Sequence, residues 1–456
     1  MKLVLQITCL ALLFCFSGVG AGAQSADLAE LAELEKTVEA ELAASKTPGA
    51  AVVVVSGDKV VFAKGFGTTS AEGGVPVTGE TLFRMGSTTK MFTAASLVTL
   101  AANGKVKLDA PIGTYIKDLP PKISALTPHR LLSQSAGIRD FAALVTTNDD
   151  KGLSQNIRLY KDDVFFTDPG KVYSYSSPGY WLAGFVTEEV NGKPYADSLA
   201  ELLFKPLGMT RSCVRPLDAM SYPLALGHNI TGGVPAVIRP VFNNAAMYPG
   251  GSMYSSGREL SRFAIAMLNG GKLDGKQALA PLVIEDLFRQ QFAFAGDEKA
   301  GYSYGLVVFE QQGVKIASHG GVSRGYGSTI EFAPDRKFAV IVLANSNGQT
   351  LPKTRKKARE MFLPLKPETD GQPASMEIKP EEMPQFTGKF SHAPQIWEAF
   401  IKDGKLFFRE DGKDFELKRT GKYSFTYEQG EVVFVPGEKG EIEHIQMGLY
   451  SARKVR

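Results

Sequence analysis

Strand-forming runs stand at two widely separated places in this chain, and helix-forming sequence fills the space between them. Residues 51–55 and 60–66 are rich in Val and Phe, and Ser56-Gly57-Asp58-Lys59 joins them as a hairpin. Strand signals return at 303–309, 314–318, 327–333 and 338–344, and the last pair is linked by Pro334-Asp335-Arg336-Lys337. Positions 125–300 read as mostly helical and loop-like. Runs so far apart form a stable layer only by pairing with one another. The expected fold class is therefore α/β (α+β): an antiparallel sheet built from N- and C-terminal strands, flanked by helices and accompanied by an all-helical region.

The flanks follow the same logic. Residues 26–44 carry apolar positions at helical spacing and stop before Thr47-Pro48-Gly49. A basic helical stretch at 350–362 closes the sheet domain, expected to span 24–363. A Pro-rich linker is expected at 364–380. Residues 381–456 alternate short strand runs (397–401, 405–409, 424–428, 432–435) with Gly turns, as in a small all-β barrel.

The first 23 residues read as a signal peptide: a short basic start, an uncharged apolar run, then Ala21-Gly22-Ala23 before Gln24. A retained anchor is the rival reading, since the run sits at the short edge of a spanning helix. Cleavage predicts a periplasmic or secreted protein without stable membrane insertion. It also removes Cys9 and Cys15, leaving Cys213 alone, with no internal disulfide and no Cys-rich metal site. The net charge of +3 gives no electrostatic case for nucleic acid. His228, His392 and His444 are too dispersed for zinc, so no metal and no cofactor is expected.

Ser87-Thr88-Thr89-Lys90 is the first candidate for chemistry. Residues three apart share a helix face, so Lys90 can reach the Ser87 hydroxyl. A lysine held in a partly desolvated site can lose its proton and accept that of the serine. Two further S-x-x-K tetrads occur: Ser56–Lys59 is the hairpin turn, and Ser451–Lys454 lies in the basic C-terminal tail. Gly321-Val322-Ser323-Arg324-Gly325 matches the G-x-S-x-G elbow, but strand-like sequence follows where a helix is required.

Tyr175-Ser176-Ser177 supplies a tyrosine whose phenol pKa a neighbouring lysine can lower, making it a base. His319-Gly320-Gly321 closes a strand run, with glycines that let a substrate lie along the backbone and a histidine that offers a donor. Thr127-Pro128-His129 reads as a helix start, with Thr127 as N-cap and His129 packing.

Taken in order, Ser-x-x-Lys, Tyr-Ser-x and His-x-Gly resemble the serine β-lactamase/penicillin-binding-protein family, in its branch of class C β-lactamases, D-alanyl-D-alanine carboxypeptidases, D-aminopeptidases and esterases. The segments FRMGSTTK (83–90), YSYSSPGYWLAGFV (173–186) and HGGVSRGYGSTIEF (319–332) carry the likeness. The C-terminal part is similar to the lipocalin-like β-domains of some members.

The resemblance implies an acyl-enzyme on Ser87, hydrogen-bonded to Lys90, with Tyr175 moving protons. It implies an oxyanion hole from the backbone N–H groups of Ser87 and Val322, and substrate contacts from Ser177, His319 and Gly321. Ser177 replaces the family's usual asparagine, and His319-Gly320 its lysine and threonine. Both changes weaken recognition of a carboxylate beside the scissile bond. The expected function is an exported serine hydrolase acting on small ester, amide or peptide substrates. The alternatives are a D-alanyl-D-alanine carboxypeptidase, D-aminopeptidase or β-lactamase, and a non-catalytic wall-binding or sensor protein.

Overall fold

The computed structural model describes residues 28–367 and 375–455. The expected signal peptide and the middle of the expected linker lie outside those residues.

The paired-ends expectation is the observed architecture. One antiparallel sheet runs in the order Lys59–Gly67, Gly49–Ser56, Phe338–Ala344, Tyr326–Ala333, Val314–Ser323, Val307–Gln311, Asp297–Tyr302, Phe292–Phe294. The join between chain ends is the ladder from Ala50 opposite Ala344 to Ser56 opposite Phe338. These two strands are buried on both faces, which is why Ala51-Val52-Val53-Val54-Val55 is a continuous apolar run.

Alternate side chains serve different layers. Val52, Val54, Val340 and Val342 pack under helices Leu28–Ser45 and Pro352–Phe362. Val53, Val55, Ile341 and Leu343 face the helical region, which includes Thr89–Ala102, Ser177–Asn191 and Gly257–Leu268. The two outer helices are locked by Glu41, whose carboxylate accepts the amides of Lys353 (3.0 Å) and Thr354 (2.9 Å) at a helix start.

The sheet is wider than the sequence pattern predicts. Phe292–Phe294 and Asp297–Tyr302 extend it at one edge, where a three-residue Phe-Ala-Phe strand and the charged start Asp297-Glu298-Lys299 are too short or too polar to show an apolar alternation. The C-terminal part is a nearly closed barrel of nine strands, folded around Phe386, Phe390, Phe408, Phe425 and Phe434. Ser451 and Lys454 are not in a loose tail: both belong to the barrel strand Tyr450–Val455. Among the described residues, no helix is long and apolar enough to cross a membrane.

Candidate active site

Three segments converge at the N-terminus of the Thr89–Ala102 helix. Ser87 sits in a single 3₁₀ turn, Gly86–Thr88, that leads into this helix. The Val314–Ser323 strand presses against that turn. A Cβ on Gly321 would stand 1.9 Å from the Met85 carbonyl, and one on Gly86, whose φ is +54°, would stand 2.5 Å from the Val322 carbonyl and 2.8 Å from the Val322 amide nitrogen. Only glycine permits such an approach. The two backbone segments expected to donate to an oxyanion, at Ser87 and Val322, are therefore direct neighbours. Ser328 fixes the contact, donating to the Met85 carbonyl at 2.6 Å and bonding Thr88 at 2.6 Å.

Lys90 lies one helical turn beyond Ser87 and is fully buried. Its Nζ donates to the Gly250 carbonyl at 2.7 Å and lies 3.3 Å from Ser87 Oγ and 3.4 Å from Ser177 Oγ. It also lies over the faces of Tyr175 (4.7 Å) and Tyr180 (5.7 Å). Desolvation pushes its pKa down to about 7, against the opposing pull of Asp140. A neutral amine beside a serine hydroxyl is a base at physiological pH.

Tyr175 is buried in the same place, its ring 4.7 Å from Lys90 Nζ. Its proton behaves differently from the sequence expectation. Burial, reinforced by Tyr302, raises the phenol pKa well above its ordinary value. Desolvation of the phenolate outweighs the lowering influence of Ser87, so Tyr175 stays protonated.

His319 is buried between two partners. Its Nδ1 bonds the Gly320 carbonyl at 2.6 Å and its Nε2 bonds the Tyr302 hydroxyl at 3.1 Å. Burial and the charge of Lys90 push its pKa down to about 3. A neutral imidazole cannot supply the cation that a lysine would bring to this position. Ser177 is the first residue of its helix, and Ser176 caps that helix by accepting the Gly179 amide at 3.2 Å.

Several residues in the site carry no sequence signal. Asp140 accepts the Ser177 amide at 2.8 Å. The barrel reaches the same place. The Tyr175 amide donates to the Leu449 carbonyl at 2.8 Å, Tyr450 donates to Asp140 at 3.3 Å, and Ser451 Oγ donates to the Tyr173 carbonyl at 2.6 Å. The Tyr450 ring meets that of Tyr175 edge-on at 6.4 Å.

Other candidates are absorbed structurally. Ser323 pairs with Tyr326 at a hairpin end, with no helix after it. Thr127 caps its helix by accepting the Arg130 amide, and His129 bonds the Tyr304 hydroxyl at 2.7 Å. Cys213 is a partly buried thiol whose pKa burial pushes up to about 12, which leaves it unreactive.

A family model described as Beta-lactamase matches residues 34–361 of this chain. The chain belongs to the β-lactamase family. Within that family it is 30% identical to Penicillin-binding protein 4 of Amycolatopsis lactamdurans over 322 residues, which are 66% of this chain and 82% of that protein. It is 25% identical to Protein flp of Staphylococcus aureus (strain N315) over 327 residues, 70% of this chain. It covers 64% of that relative's length. Its fold is similar to the crystal structure of SurE, with a TM-score of 0.74 and 21% identity over 94% of this chain and 99% of that one. That likeness extends through the barrel. The residues matched by the family model include the Ser87–Lys90 pair, Tyr175 and the strand that carries His319.

Proposed function

We propose that this chain is an exported acyl hydrolase that cleaves ester or amide substrates through a covalent intermediate on Ser87. The carrying observation is Lys90, fully buried, 3.3 Å from the Ser87 hydroxyl and with a pKa of about 7. Neutral Lys90 takes the Ser87 proton as Oγ forms a bond to the substrate carbonyl carbon. The carbonyl oxygen becomes an oxyanion facing the Ser87 and Val322 amides. As the tetrahedral species collapses, the bond to the leaving group breaks, and the Tyr175 hydroxyl relays a proton to that group as it takes one from protonated Lys90, so no buried phenolate forms. Water repeats the sequence on the acyl-enzyme and releases the acid.

The carboxypeptidase and β-lactamase readings require a cation for the carboxylate beside the scissile bond. A neutral His319 counts against both and favours substrates without that group. A binding-only protein has no use for a depressed lysine beside a serine.

The test is hydrolysis of a short-chain p-nitrophenyl ester by residues 24–456 and by the Ser87→Ala variant. We expect turnover in the first, and a loss of roughly 10⁴-fold or more in the second with the fold intact. Equal turnover in the two proteins contradicts the assignment. Absence of turnover in both, extending to amides and D-peptides, favours the binding reading.

A further inference from the structure

The strand that lines the site has opposite character at its two ends. At one end His319 is neutral and lies close to Tyr175, with ring centroids 6.1 Å apart. At the other, two residues past Val322, the exposed Arg324 opens onto a cleft of about 110 Å³. Arg324 Cζ lies 4.9 Å from the Phe242 ring. From beneath, Arg84 Cζ approaches the same ring at 5.5 Å and the Tyr254 ring at 5.8 Å. The Arg84 guanidinium donates to the Phe242 carbonyl at 2.7 Å and to Ser252 at 3.2 Å.

Neither arginine forms an ion pair among the described residues, whereas Arg239 on the same cleft is paired with Glu72 at 2.6 Å. Arg84 is only 4% exposed, and its Nε and the neighbouring Tyr254 hydroxyl are buried without hydrogen-bond partners. A buried guanidinium cannot shed its proton, so in the absence of a carboxylate it is an uncompensated charge. An unpaired surface arginine is ordinary. An unpaired buried one directly behind it is not, and together they make a local positive field that lacks its anion.

The direction of the strand assigns the cleft to one half of the substrate. Tyr175, the donor to the leaving group, sits at the His319 end. The oxyanion amide of Val322 lies between the two ends, so the acyl group extends toward Arg324. The strand ends at Ser323, and Arg324, the first residue of the hairpin turn after it, stands about 7 Å along the chain from Val322, the reach of a three- or four-carbon chain. We infer that the cleft is an acyl-side subsite for a carboxylate at the far end of a short acyl chain, with Arg324 as the contacting group and Arg84 as the charge behind it. The preferred substrate class is then esters or amides of short dicarboxylic acids. This rests on the acyl-enzyme reading of Ser87, and it adds a carboxylate remote from the scissile bond.

The experiment compares two p-nitrophenyl esters of equal chain length: the neutral valerate and the anionic hydrogen glutarate. We expect kcat/KM to favour the glutarate roughly tenfold, and Arg324→Gln to abolish that ratio while Arg324→Lys retains part of it. Raising the salt concentration is expected to shrink the ratio. Calorimetric titration of the Ser87→Ala protein with both esters gives a readout that needs no turnover. It is expected to show tighter glutarate binding that is lost when Arg324→Gln is added. Turnover of both esters with a ratio unmoved by Arg324→Gln overturns the subsite and leaves the hydrolase intact. Glutarate-selective binding without turnover supports the subsite and overturns the hydrolase. Neither binding nor turnover overturns both.

Discussion

Ser87, Lys90 and Ser177 come from turns and helix starts of the larger domain, where a few residues of local sequence decide which side chains meet. The barrel contributes to the same site through Leu449, Tyr450 and Ser451, and through His392, which accepts the Asp140 amide at 3.4 Å. The large domain buries Lys90 and Tyr175 and shifts their pKa values through that burial. The barrel moves no proton in this scheme. It covers Tyr175 and orients Asp140, which in turn holds the start of the Ser177 helix. The Ser87–Lys90 pair is local in sequence, and the groups that enclose and complete the site are not.

That division makes graded predictions. After Ser87→Ala, Lys90→Met should have the largest effect, about 10³-fold in kcat, since it removes the base and leaves the turn in place. In the parent protein, kcat/KM should rise with pH through about 7 and then level off. The sign follows from Lys90 acting in its neutral form, and a rate that falls over the same interval would show that the cation is the active species. Gly321→Val should cost about 10²-fold, because the added side chain drives the strand off the Met85 carbonyl and misplaces the Val322 amide.

Tyr450→Ala should cost about tenfold in kcat/KM, and Tyr450→Phe less, if the barrel only covers the site. A loss matching that of Lys90→Met would break the comparison and make the barrel part of the chemistry. His319→Gln should change rates no more than about fivefold and leave the pH profile between 5 and 9 unaltered, because the imidazole is already neutral throughout that range.

These contrasts track what can be read from the sequence. The Ser87–Lys90 pair is legible because i and i+3 neighbours follow from helix geometry alone. The central strands are legible because double-sided burial demands unbroken apolar runs. The edge strands at 292–302 are not, since an edge buries too little for its pattern to show. The sequence pattern marks four barrel strands where the fold has nine: pieces such as Lys413–Glu416 and Lys418–Arg419 are charged and very short. Asp140 and Tyr450 are ordinary polar residues whose meeting depends on the docking of the barrel. The Tyr175 proton escapes a sequence reading for a related reason. Its lysine neighbour is visible in the motif, but the burial and the Tyr302 ring that outweigh it come from elsewhere in the chain.

The central claim is a covalent bond at Ser87. The most direct measurement is peptide mass analysis after rapid acid quench of the protein with a slowly turned-over p-nitrophenyl ester. An acyl mass increment is expected on the peptide containing Ser87, with no increment in the Ser87→Ala protein. Continued turnover with the increment on another residue, or with none at all, would contradict it.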